Sequence, residues 1–360
     1  MDNRRRHGRL GAAAILMAVM LAIASLFAAP AAAQSRMPVR SAFPAARASV
    51  DGSHIVGVTR VSERRFVLDV YSAAMGRVLG MQVIRPADIR TPAPTLYMLN
   101  GAEDGATPKG IRTWETQTDL VSFMADKHVN VVTMLDGAYT YFTDWRHDDP
   151  VLGRNRWQTF LTEELPPVLN SAFNSTGRNA IVGLSMSATS VLGLAESSPG
   201  LYRSVGSFSG CSDLDNQVCA AAVRGVVTLG HGHPDNMWGP VGGAAWVAHN
   251  PGSSANLAKL RGTELYFASG SGAPGQYDNE ADTGNDTTQL ARQLFLGGGP
   301  EALVAQSTRR IQKRIDALGV AATFRFTPSG THSWLYWQND LHAAWPDVAA
   351  ALGISPTTSR

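Results

Sequence analysis

The feature that most constrains this chain is a short apolar stretch that turns sharply around a serine. Residues 180–182 (Ala-Ile-Val) lead into residues 183–187 (Gly-Leu-Ser-Met-Ser), and residues 188–196 continue with small and apolar side chains at helical spacing. This order predicts a strand, an elbow and a helix. The serine of such an elbow stands clear of the sheet, beside a helix N-terminus that favours negative charge. We therefore interpret Ser185 as a nucleophile.

The elbow departs from the common Gly-x-Ser-x-Gly pattern, because Ser187 occupies the position of the last glycine. The alternative interpretation is an ordinary strand-to-helix turn in which Ser185 caps the helix. A serine nucleophile needs a histidine and an acid, so the rest of the chain can separate the two interpretations.

The N-terminus has the composition of a secretory signal peptide. A basic start is followed by an apolar run over residues 10–29 and by an Ala-x-Ala site that ends at Ala33. We expect residues 1–33 to be cleaved as a signal peptide, although an uncleaved membrane anchor is the alternative. No later apolar run in the sequence is long enough to span a bilayer. The prediction is a protein secreted or held in the cell envelope, with no stable membrane span after cleavage.

The remaining chain divides into two parts by composition. Residues 34–52 are rich in Ala, Ser, Arg and Pro without a period, which predicts a disordered mature N-terminus. Residues 53–352 are long enough for one large α/β domain. The 360 residues carry a formal net charge of only +2, and 17% of them are charged, so no nucleic-acid-binding surface is expected.

The spacing of the cysteines and histidines indicates where a disulfide or a metal site could form. In an exported chain, the close pair Cys211 and Cys219 predicts one disulfide. His231 and His233 have a metal-like spacing, but no ligand-type Cys, Asp or Glu cluster accompanies them. We interpret that pair as part of a polar loop and expect no metal and no cofactor.

Strand and helix patterns alternate along the chain. Residues 65–71 and 75–85 predict two antiparallel strands near the start of the domain. Further strands are predicted at 94–99, 130–135, 180–182, around 208, at 264–268 and at 323–327, with helices at 119–127, 159–169 and 301–318. Residues 223–228 are interpreted as part of an excursion from the sheet. The pattern predicts an α/β fold with a mostly parallel central sheet covered by helices on both faces.

The order of the predicted strands favours one histidine as the catalytic base. His332 follows the last predicted strand, where this kind of sheet brings a histidine back to the elbow. The alternative is a loop histidine packed on nearby aromatic residues, and His342 is the second candidate base. The acid stays open at this point: strand order favours Asp278 or Asp282, with other carboxylates between Ser185 and the base.

An oxyanion hole needs two backbone donors aimed at the developing charge. One is expected at the N–H of Met186, directly after the nucleophile. The other is expected at Ala102, in the loop after the strand that ends at Leu99, where Gly101 allows a close approach of the backbone.

Six short motifs are spaced along the chain. They occupy residues 96–101 (Leu-Tyr-Met-Leu-Asn-Gly), 141–145 (Tyr-Phe-Thr-Asp-Trp), 157–162 (Trp-Gln-Thr-Phe-Leu-Thr), 183–187 (Gly-Leu-Ser-Met-Ser), 237–240 (Met-Trp-Gly-Pro) and 330–334 (Gly-Thr-His-Ser-Trp). In this order and spacing they form a specific pattern within a match that extends from about residue 68 to residue 341. The pattern resembles that of the secreted mycolyltransferases of the antigen 85 complex and their corynebacterial and nocardial relatives.

The resemblance implies an α/β-hydrolase fold and an acyltransferase of the trehalose O-mycolyltransferase or diacylglycerol acyltransferase type. It implies Ser185 as nucleophile, His332 as base and Glu301 as acid, in place of the aspartates that strand order favours. The sugar-contacting positions of the family fall at Ala102, Glu103, Asp213 and residues 332–334, which include Ser333 and Trp334.

Further substrate contacts are expected around these positions. Trp145, Trp238 and Trp334 are candidates for apolar and sugar-stacking walls, with core packing as the alternative for each. Asn100 and Glu103 stand where mycobacterial members carry Asp and Arg. Because glutamate in place of arginine inverts a local charge, the contacts to trehalose and the choice of acceptor are expected to differ from those members.

The expected reaction moves a mycolyl chain from trehalose monomycolate to a sugar hydroxyl through an acyl-serine. The expected partners are trehalose mycolate glycolipids and cell-wall arabinogalactan. Two alternatives remain: a secreted carboxylesterase with the same three catalytic residues and water as acceptor, and a non-catalytic adhesin or wall-binding protein that has kept the fold.

Overall fold

The computed structural model of the protein describes residues 35–107 and 110–357. The predicted signal peptide therefore lies outside the described residues. Among those that are described, no helix combines the length and the apolar character needed to cross a membrane.

The first strands of the central sheet form its antiparallel edge. Ser35–Met37 (β1), His54–Arg60 (β2), Arg65–Ser72 (β3) and Arg77–Ile84 (β4) lie side by side in this order. β3 pairs antiparallel with both β2 and β4. Leu68 and Val70 are buried, while Asp69 and Tyr71, which alternate with them, are half-buried, as expected for a strand with one face on the core. The sequence predicts β3 and β4, and the structure adds β1 and β2.

The rest of the sheet is parallel. Its strands are Ala93–Leu99 (β5), Asn130–Met134 (β8), Ser175–Leu184 (β9), Tyr202–Phe208 (β10), Glu264–Ser269 (β11) and Thr323–Phe326 (β12). They lie in the order β8-β5-β9-β10-β11-β12, and β8 pairs antiparallel with β4. Gly105–Thr107 (β6) and Gly110–Arg112 (β7) form a separate two-stranded ribbon. Because parallel strands end at the same edge, the loops after β5, β9, β10, β11 and β12 meet there.

Helices occupy most of the connections between the strands. They are Val39–Ala42 (α1), Trp114–Gln117 (α2), Leu120–Phe123 (α3), Trp157–Thr159 (α4), Leu165–Phe173 (α5), Met186–Ser197 (α6), Gln217–Leu229 (α7), Pro234–Trp238 (α8), Ala244–Ala248 (α9), Ser254–Leu257 (α10), Thr287–Arg292 (α11), Gly298–Leu318 (α12) and Trp334–Leu352 (α13). Phe160–Glu164 and Gln293–Gly297 are π-helical, and Ala258–Leu260 is a 3₁₀ turn.

Two hydrophobic clusters show that helices cover both faces of the sheet. One cluster includes Leu169 of α5 and Val191 of α6, and the other includes Trp345 and Val348 of α13. The predicted α/β-hydrolase architecture is confirmed. Its strands β5 and β8 are buried along their whole length, as their continuous apolar sequences indicate.

The structure refines the predicted helices. The helix predicted at 119–127 is only the single turn α3, and the predicted excursion around 223–228 contains the 13-residue helix α7. His342, the second candidate base, lies as expected on a helix after the last strand, and this helix, α13, continues through Pro346.

The segment predicted as a disordered N-terminus also differs. Residues 35–52 contain β1 and α1, and Phe43 is buried. The Phe43 ring lies 5.4 Å from the ring of Phe173 and 5.6 Å from that of Phe66, measured between centroids. Phe43 thus attaches this stretch to the core, together with the partly buried side chains of Met37, Val39, Ala42 and Ala46. Composition alone does not reveal these contacts.

Candidate active site

Ser185 lies between β9 and α6 with its backbone in the left-handed region. Its φ is 55° and its ψ is −120°, values that a residue with a side chain rarely adopts and that store strain. The Ser185 N–H donates to the carbonyl oxygen of Phe208 at 2.9 Å, which fastens the elbow to the end of β10. The strained backbone holds the hydroxyl at the C-terminal edge of the sheet.

The residues on either side of Ser185 explain the unusual elbow sequence. A Cβ at Gly183 would lie 2.5 Å from the carbonyl oxygen of Ser187, so this position requires glycine. The Ser187 hydroxyl accepts the N–H of Leu184 at 3.0 Å and lies 3.1 Å from the carbonyl oxygen of Leu99 on β5. Serine in the last position of the motif therefore links the elbow to the neighbouring strand.

The structure brings together the three residues predicted as nucleophile, base and acid. His332 Nε2 lies 2.8 Å from Ser185 Oγ, and His332 Nδ1 lies 2.7 Å from Glu301 Oε2. With its Nδ1–H donated to Glu301, the imidazole presents Nε2 as an acceptor for the serine proton. This geometry can generate a serine nucleophile.

The second oxygen of Glu301 is held just as firmly. Oε1 accepts the hydroxyl of Ser209 at 2.8 Å and the N–H of Gly270 at 2.6 Å. The Ser209 hydroxyl in turn accepts Trp337 Nε1–H at 3.0 Å, and the Trp337 ring packs edge-on against His332. Since Glu301 is only 1% exposed, these donors replace the water that a buried carboxylate lacks.

The aspartates favoured by strand order lie elsewhere. Asp278 accepts hydrogen bonds from the hydroxyls of Thr331 and Tyr336, both at 2.6 Å. Burial alone would raise the pKa of Asp278, but hydrogen bonds from these residues and from Gln293 lower it. Asp278 therefore supports the loop before His332 and does not contact the imidazole, while Asp282 pairs with the side-chain amide of Asn279 at 2.6 Å.

The two loops predicted to form the oxyanion hole meet at Ser185. Met186 is the first residue of α6, where helical N–H groups have no intrahelical partner. A Cβ at Gly101 would lie 3.7 Å from the Cβ of Ser185, so the loop after β5 passes directly beside the nucleophile. The Ala102 carbonyl oxygen accepts the N–H of Tyr139 at 3.1 Å, which holds this loop in place.

Other side chains proposed from the sequence as substrate contacts have partners in the protein interior instead. The Asn100 side chain donates to the carbonyl oxygen of Met134 and accepts the N–H of Trp114, so it shapes the loop. Trp145 is buried, with its indole N–H on the carbonyl oxygen of Thr140 at 3.0 Å. These two predictions are corrected: the side chains of Asn100 and Trp145 are structural.

Asp213 is a third correction. Its carboxylate is 2% exposed and forms ion pairs with Arg310 Nε and with Arg314 Nη1. Both oxygens thus accept from arginines of α12, and burial keeps the carboxylate away from a bound sugar. Sequence spacing does not show this burial.

The remaining predicted contacts differ in exposure, because Trp334 and Trp238 are buried members of the hydrophobic clusters whereas Glu103 is exposed. Glu103 is exposed in the loop after β5, and Ser333 directly follows His332 at the start of α13. Trp334 packs edge-on against Trp114 and Trp337, and its indole N–H has no hydrogen-bond partner among the described residues. Trp238 donates to the hydroxyl of Thr143 and lines a separate cavity beside the C-terminal half of α6.

His342, the second candidate base, lies away from the elbow. His342 stacks on Phe123 and pairs with Asp119 at the far side of α13. In the part of the chain that the structure describes, no group of three or more His, Cys, Asp or Glu side chains has the arrangement of a metal site.

Asp104 is a titratable neighbour of the site that the sequence prediction does not include. Burial raises the pKa of its carboxyl to about 6, and Arg112, 3.3 Å away, opposes this only in part. Its carboxylate accepts the N–H of Gly101, and the charge of His332 also acts on it. Asp104 therefore links the loop after β5 to the charge state of the site.

The raised pKa of Asp104 predicts a pH-dependent stability difference. The folded state holds this proton more tightly than the unfolded state, in which Asp titrates near about 3.9. The group therefore lowers the free energy of unfolding as pH rises from about 4 to about 6. We expect Asp104→Asn to gain stability over the wild type by about 2–3 kcal/mol between pH 4 and pH 7.5, measured by urea unfolding. An equal difference at both pH values would contradict this.

The predicted disulfide is present. Cys211 and Cys219 are joined, with their Cα atoms 5.4 Å apart, and they connect the loop after β10 to the first turn of α7. For so short a loop, the entropy of the unfolded chain predicts a contribution of about 2–3 kcal/mol. We expect Cys211→Ser/Cys219→Ser to lose about this much in urea unfolding while keeping the hydrolytic rate within about threefold. A large loss of rate at unchanged stability would contradict a structural role.

Ser209, Gly270, Trp337 and Asp104 were missed by sequence reasoning. A usable signal exists for the first two only: each directly follows a parallel strand, β10 or β11, at the edge where the site lies. Trp337 and Asp104 reach the site through the folding of a helix and a loop, and no local sequence pattern predicts their positions.

Comparison with known proteins agrees with this arrangement. The sequence matches the family model described as putative esterase over residues 72–348. It is 31% identical over 298 residues to the diacylglycerol acyltransferase/mycolyltransferase Ag85A of Mycobacterium leprae, covering 80% of this chain and 84% of that protein. It is 32% identical over 303 residues to Ag85A of Mycobacterium tuberculosis, covering 81% and 82%.

Solved structures share the fold. That of Mycobacterium tuberculosis MPT51 (FbpC1) superposes with a TM-score of 0.63 at 24% identity, covering 78% of this chain and 96% of that chain. An S-formylglutathione hydrolase from Agrobacterium tumefaciens gives a TM-score of 0.57 at 17% identity, covering 83% and 100%. The chain belongs to the putative-esterase family of α/β-hydrolases and, within it, to the antigen 85 acyltransferase/mycolyltransferases.

Proposed function

We propose that this protein is an exported serine acyltransferase that moves a mycolyl chain from trehalose monomycolate to a sugar hydroxyl. The acceptor sugar belongs to a second trehalose monomycolate or to arabinogalactan. The observation that carries the proposal is the hydrogen-bonded series Ser185–His332–Glu301, with distances of 2.8 and 2.7 Å, in a chain of the mycolyltransferase family. The signal-peptide pattern of residues 1–33 supports export.

The first half of the reaction forms an acyl-enzyme. His332 Nε2 takes the proton of Ser185 as Oγ attacks the ester carbonyl of the donor, and Glu301 stabilises the imidazolium. The N–H groups of Met186 and Ala102 stabilise the tetrahedral oxyanion. The C–O bond to trehalose then breaks, and His332 returns its proton to the leaving sugar oxygen.

The second half reverses these steps with a new alcohol. His332 removes a proton from the acceptor hydroxyl, which attacks the acyl-serine carbonyl, and Ser185 leaves with the proton from His332. Glu103 and Ser333 flank this position and are the proposed acceptor contacts, together with Trp334. Transfer requires a sugar to compete with water at the acyl-enzyme.

Product analysis separates transfer from hydrolysis. The purified enzyme is incubated with a trehalose monoester of a long-chain acid, with and without added trehalose, and the lipids are separated by chromatography and mass spectrometry. The proposal expects trehalose diester as a main product, and acyl exchange onto isotopically labelled trehalose. Free acid as the sole product, unaffected by added sugar, would assign the protein as a carboxylesterase.

The non-catalytic alternative predicts a different result. An adhesin that has kept the fold would leave the ester intact and would not react at Ser185 with a fluorophosphonate. The hydrogen bonds of the site argue against it, because an unused serine has no reason to retain a strained backbone next to a buried His–Glu pair.

A further inference from the structure

A cavity of about 250 Å³ lies against the C-terminal half of α6, apart from the catalytic residues. Its inner wall is formed by buried side chains: Phe142, Thr189, Leu194 and Trp238. Its mouth is bordered by exposed residues: Ser197, Ala248 and Lys259. The volume is just below the range of about 300–1,000 Å³ that is typical for drug-sized ligands. The cavity therefore has room for one small molecule and an opening to admit it.

Glu196 is a buried titratable residue in the wall of this cavity. The side chain is 5% exposed, lies in the last turn of α6, and has one oxygen, Oε1, with no hydrogen-bond partner among the described residues. Burial raises the pKa of Glu196 well above its usual value, and the charge of Lys259 opposes this only in part. A carboxyl group at the C-terminal end of a helix is disfavoured further by the helix dipole. Each of these features costs stability in the empty protein.

We propose that this cavity binds one neutral sugar ring, or a polyol of that size, with Glu196 as its central hydrogen-bonding partner. Each hydroxyl of such a ligand can both donate and accept, which suits the unpartnered carboxyl oxygen of Glu196 and the Ser190 hydroxyl, which donates to the carbonyl oxygen of Met186 and can still accept. An apolar chain would leave the Glu196 oxygen unpaired.

Charge and shape support a neutral ring. Glu196 disfavours an anion, and Lys259, whose ammonium group donates to Asn256 Oδ1 at 2.8 Å, disfavours a cation. Trp238 supplies an apolar wall for the C–H face of a ring and is held in place by stacking on His249, with centroids 5.4 Å apart. Aromatic walls with a few polar groups are the usual composition of small-molecule sites.

This site is separate from the acyl-transfer site. Glu196 lies 11 residues after Ser185, which corresponds to about 16 Å along α6 at a rise of about 1.5 Å per residue. A sugar ring hydrogen-bonded to Glu196 is therefore a different ring from the one that reacts at Ser185, although the cavity extends along α6 as far as Thr189. Binding at this cavity would attach the enzyme to a carbohydrate while the catalytic site stays free. The proposed sugar site does not depend on the reaction proposed for Ser185.

The experiment blocks the catalytic site and measures sugar binding. Ser185 is first phosphonylated in the full-length mature protein, and saturation-transfer NMR is then recorded with D-glucose, D-arabinose and glycerol. Two variants are compared: Glu196→Leu, which removes the polar group, and Glu196→Gln, which keeps a neutral amide of the same shape. We expect binding in the phosphonylated wild type, at least about tenfold weaker binding in Glu196→Leu, and binding within about threefold of wild type in Glu196→Gln.

Two further measurements make the result decisive. Because Glu196→Leu removes an unpartnered buried group, we expect its Tm to rise or stay unchanged, and we expect ester hydrolysis by both variants without phosphonate to match the wild type. Loss of binding without loss of folding or of hydrolysis would then support the site. No sugar signal in the phosphonylated wild type, or equal signals in Glu196→Leu and wild type, would overturn the proposal.

Discussion

Replacement of Ser185 by alanine is expected to lower kcat/KM for ester cleavage on the order of 10⁴-fold or more. The reason is that the hydroxyl 2.8 Å from His332 Nε2 is the atom that forms the acyl bond, so the remaining site can stabilise an oxyanion but cannot start the reaction. The rate is measured with a soluble p-nitrophenyl ester, which does not depend on the acceptor sugar. Labelling by a fluorophosphonate should disappear in parallel.

Ser187→Ala is the matched control. Its hydroxyl lies two residues away but bonds only to the backbone of Leu184 and Leu99, so we expect a stability loss of about 1–2 kcal/mol and a rate within about tenfold of wild type. If Ser185→Ala stayed within tenfold of wild type, or if Ser187→Ala were the inactive variant, the identification of the nucleophile would be wrong.

Glu301→Gln is expected to lower kcat/KM by about 10³–10⁴-fold while the protein stays folded. Gly270 N–H and the Ser209 hydroxyl both donate to Oε1, so the single oxygen of glutamine is required there and its NH₂ group faces His332. Nδ1 must then accept, which places the imidazole proton on Nε2 and prevents it from taking the proton of Ser185. The kinetic loss should appear in kcat more than in KM.

Asp278→Asn is the control for the acid, because strand order alone favours Asp278. Its carboxylate bonds to Thr331 and Tyr336 and not to the imidazole, so we expect at most a tenfold loss. The reverse result, with an active Glu301→Gln and an inactive Asp278→Asn, would move the acid to the loop after β11.

Nucleophile and base are predictable from the sequence because local patterns mark them. The elbow requires a glycine and a serine at fixed spacing, and His332 follows directly after the last strand. No such local sequence pattern identifies the acid. Glu301 lies in the first turn of α12, 32 residues beyond the end of β11, so only the fold of the intervening segment brings it beneath His332. Resemblance to a family supplied what local pattern could not.

The substrate contacts show the limit of motif transfer. Trp145 belongs to one of the six motifs, and Asp213 stands at a sugar-contacting position of the family. Trp145 is nevertheless covered by the core, and Asp213 is bound by Arg310 and Arg314. Whether a side chain is buried depends on residues that are distant in sequence. The residue type and spacing of a motif do not predict which residues those are. The same reason hides Trp337, whose role arises only where α13 packs against the loop after β10.

The central claim is that Ser185 carries the acyl group between two sugars, and intact-mass spectrometry tests it directly. The mature protein is mixed with a trehalose monoester donor, and the mass is recorded before and after addition of trehalose, for wild type and Ser185→Ala. We expect one acyl adduct on the wild type only, discharged much faster by trehalose than by buffer. An adduct that buffer discharges equally fast, an adduct on Ser185→Ala, or no adduct and no turnover on the wild type would contradict the account.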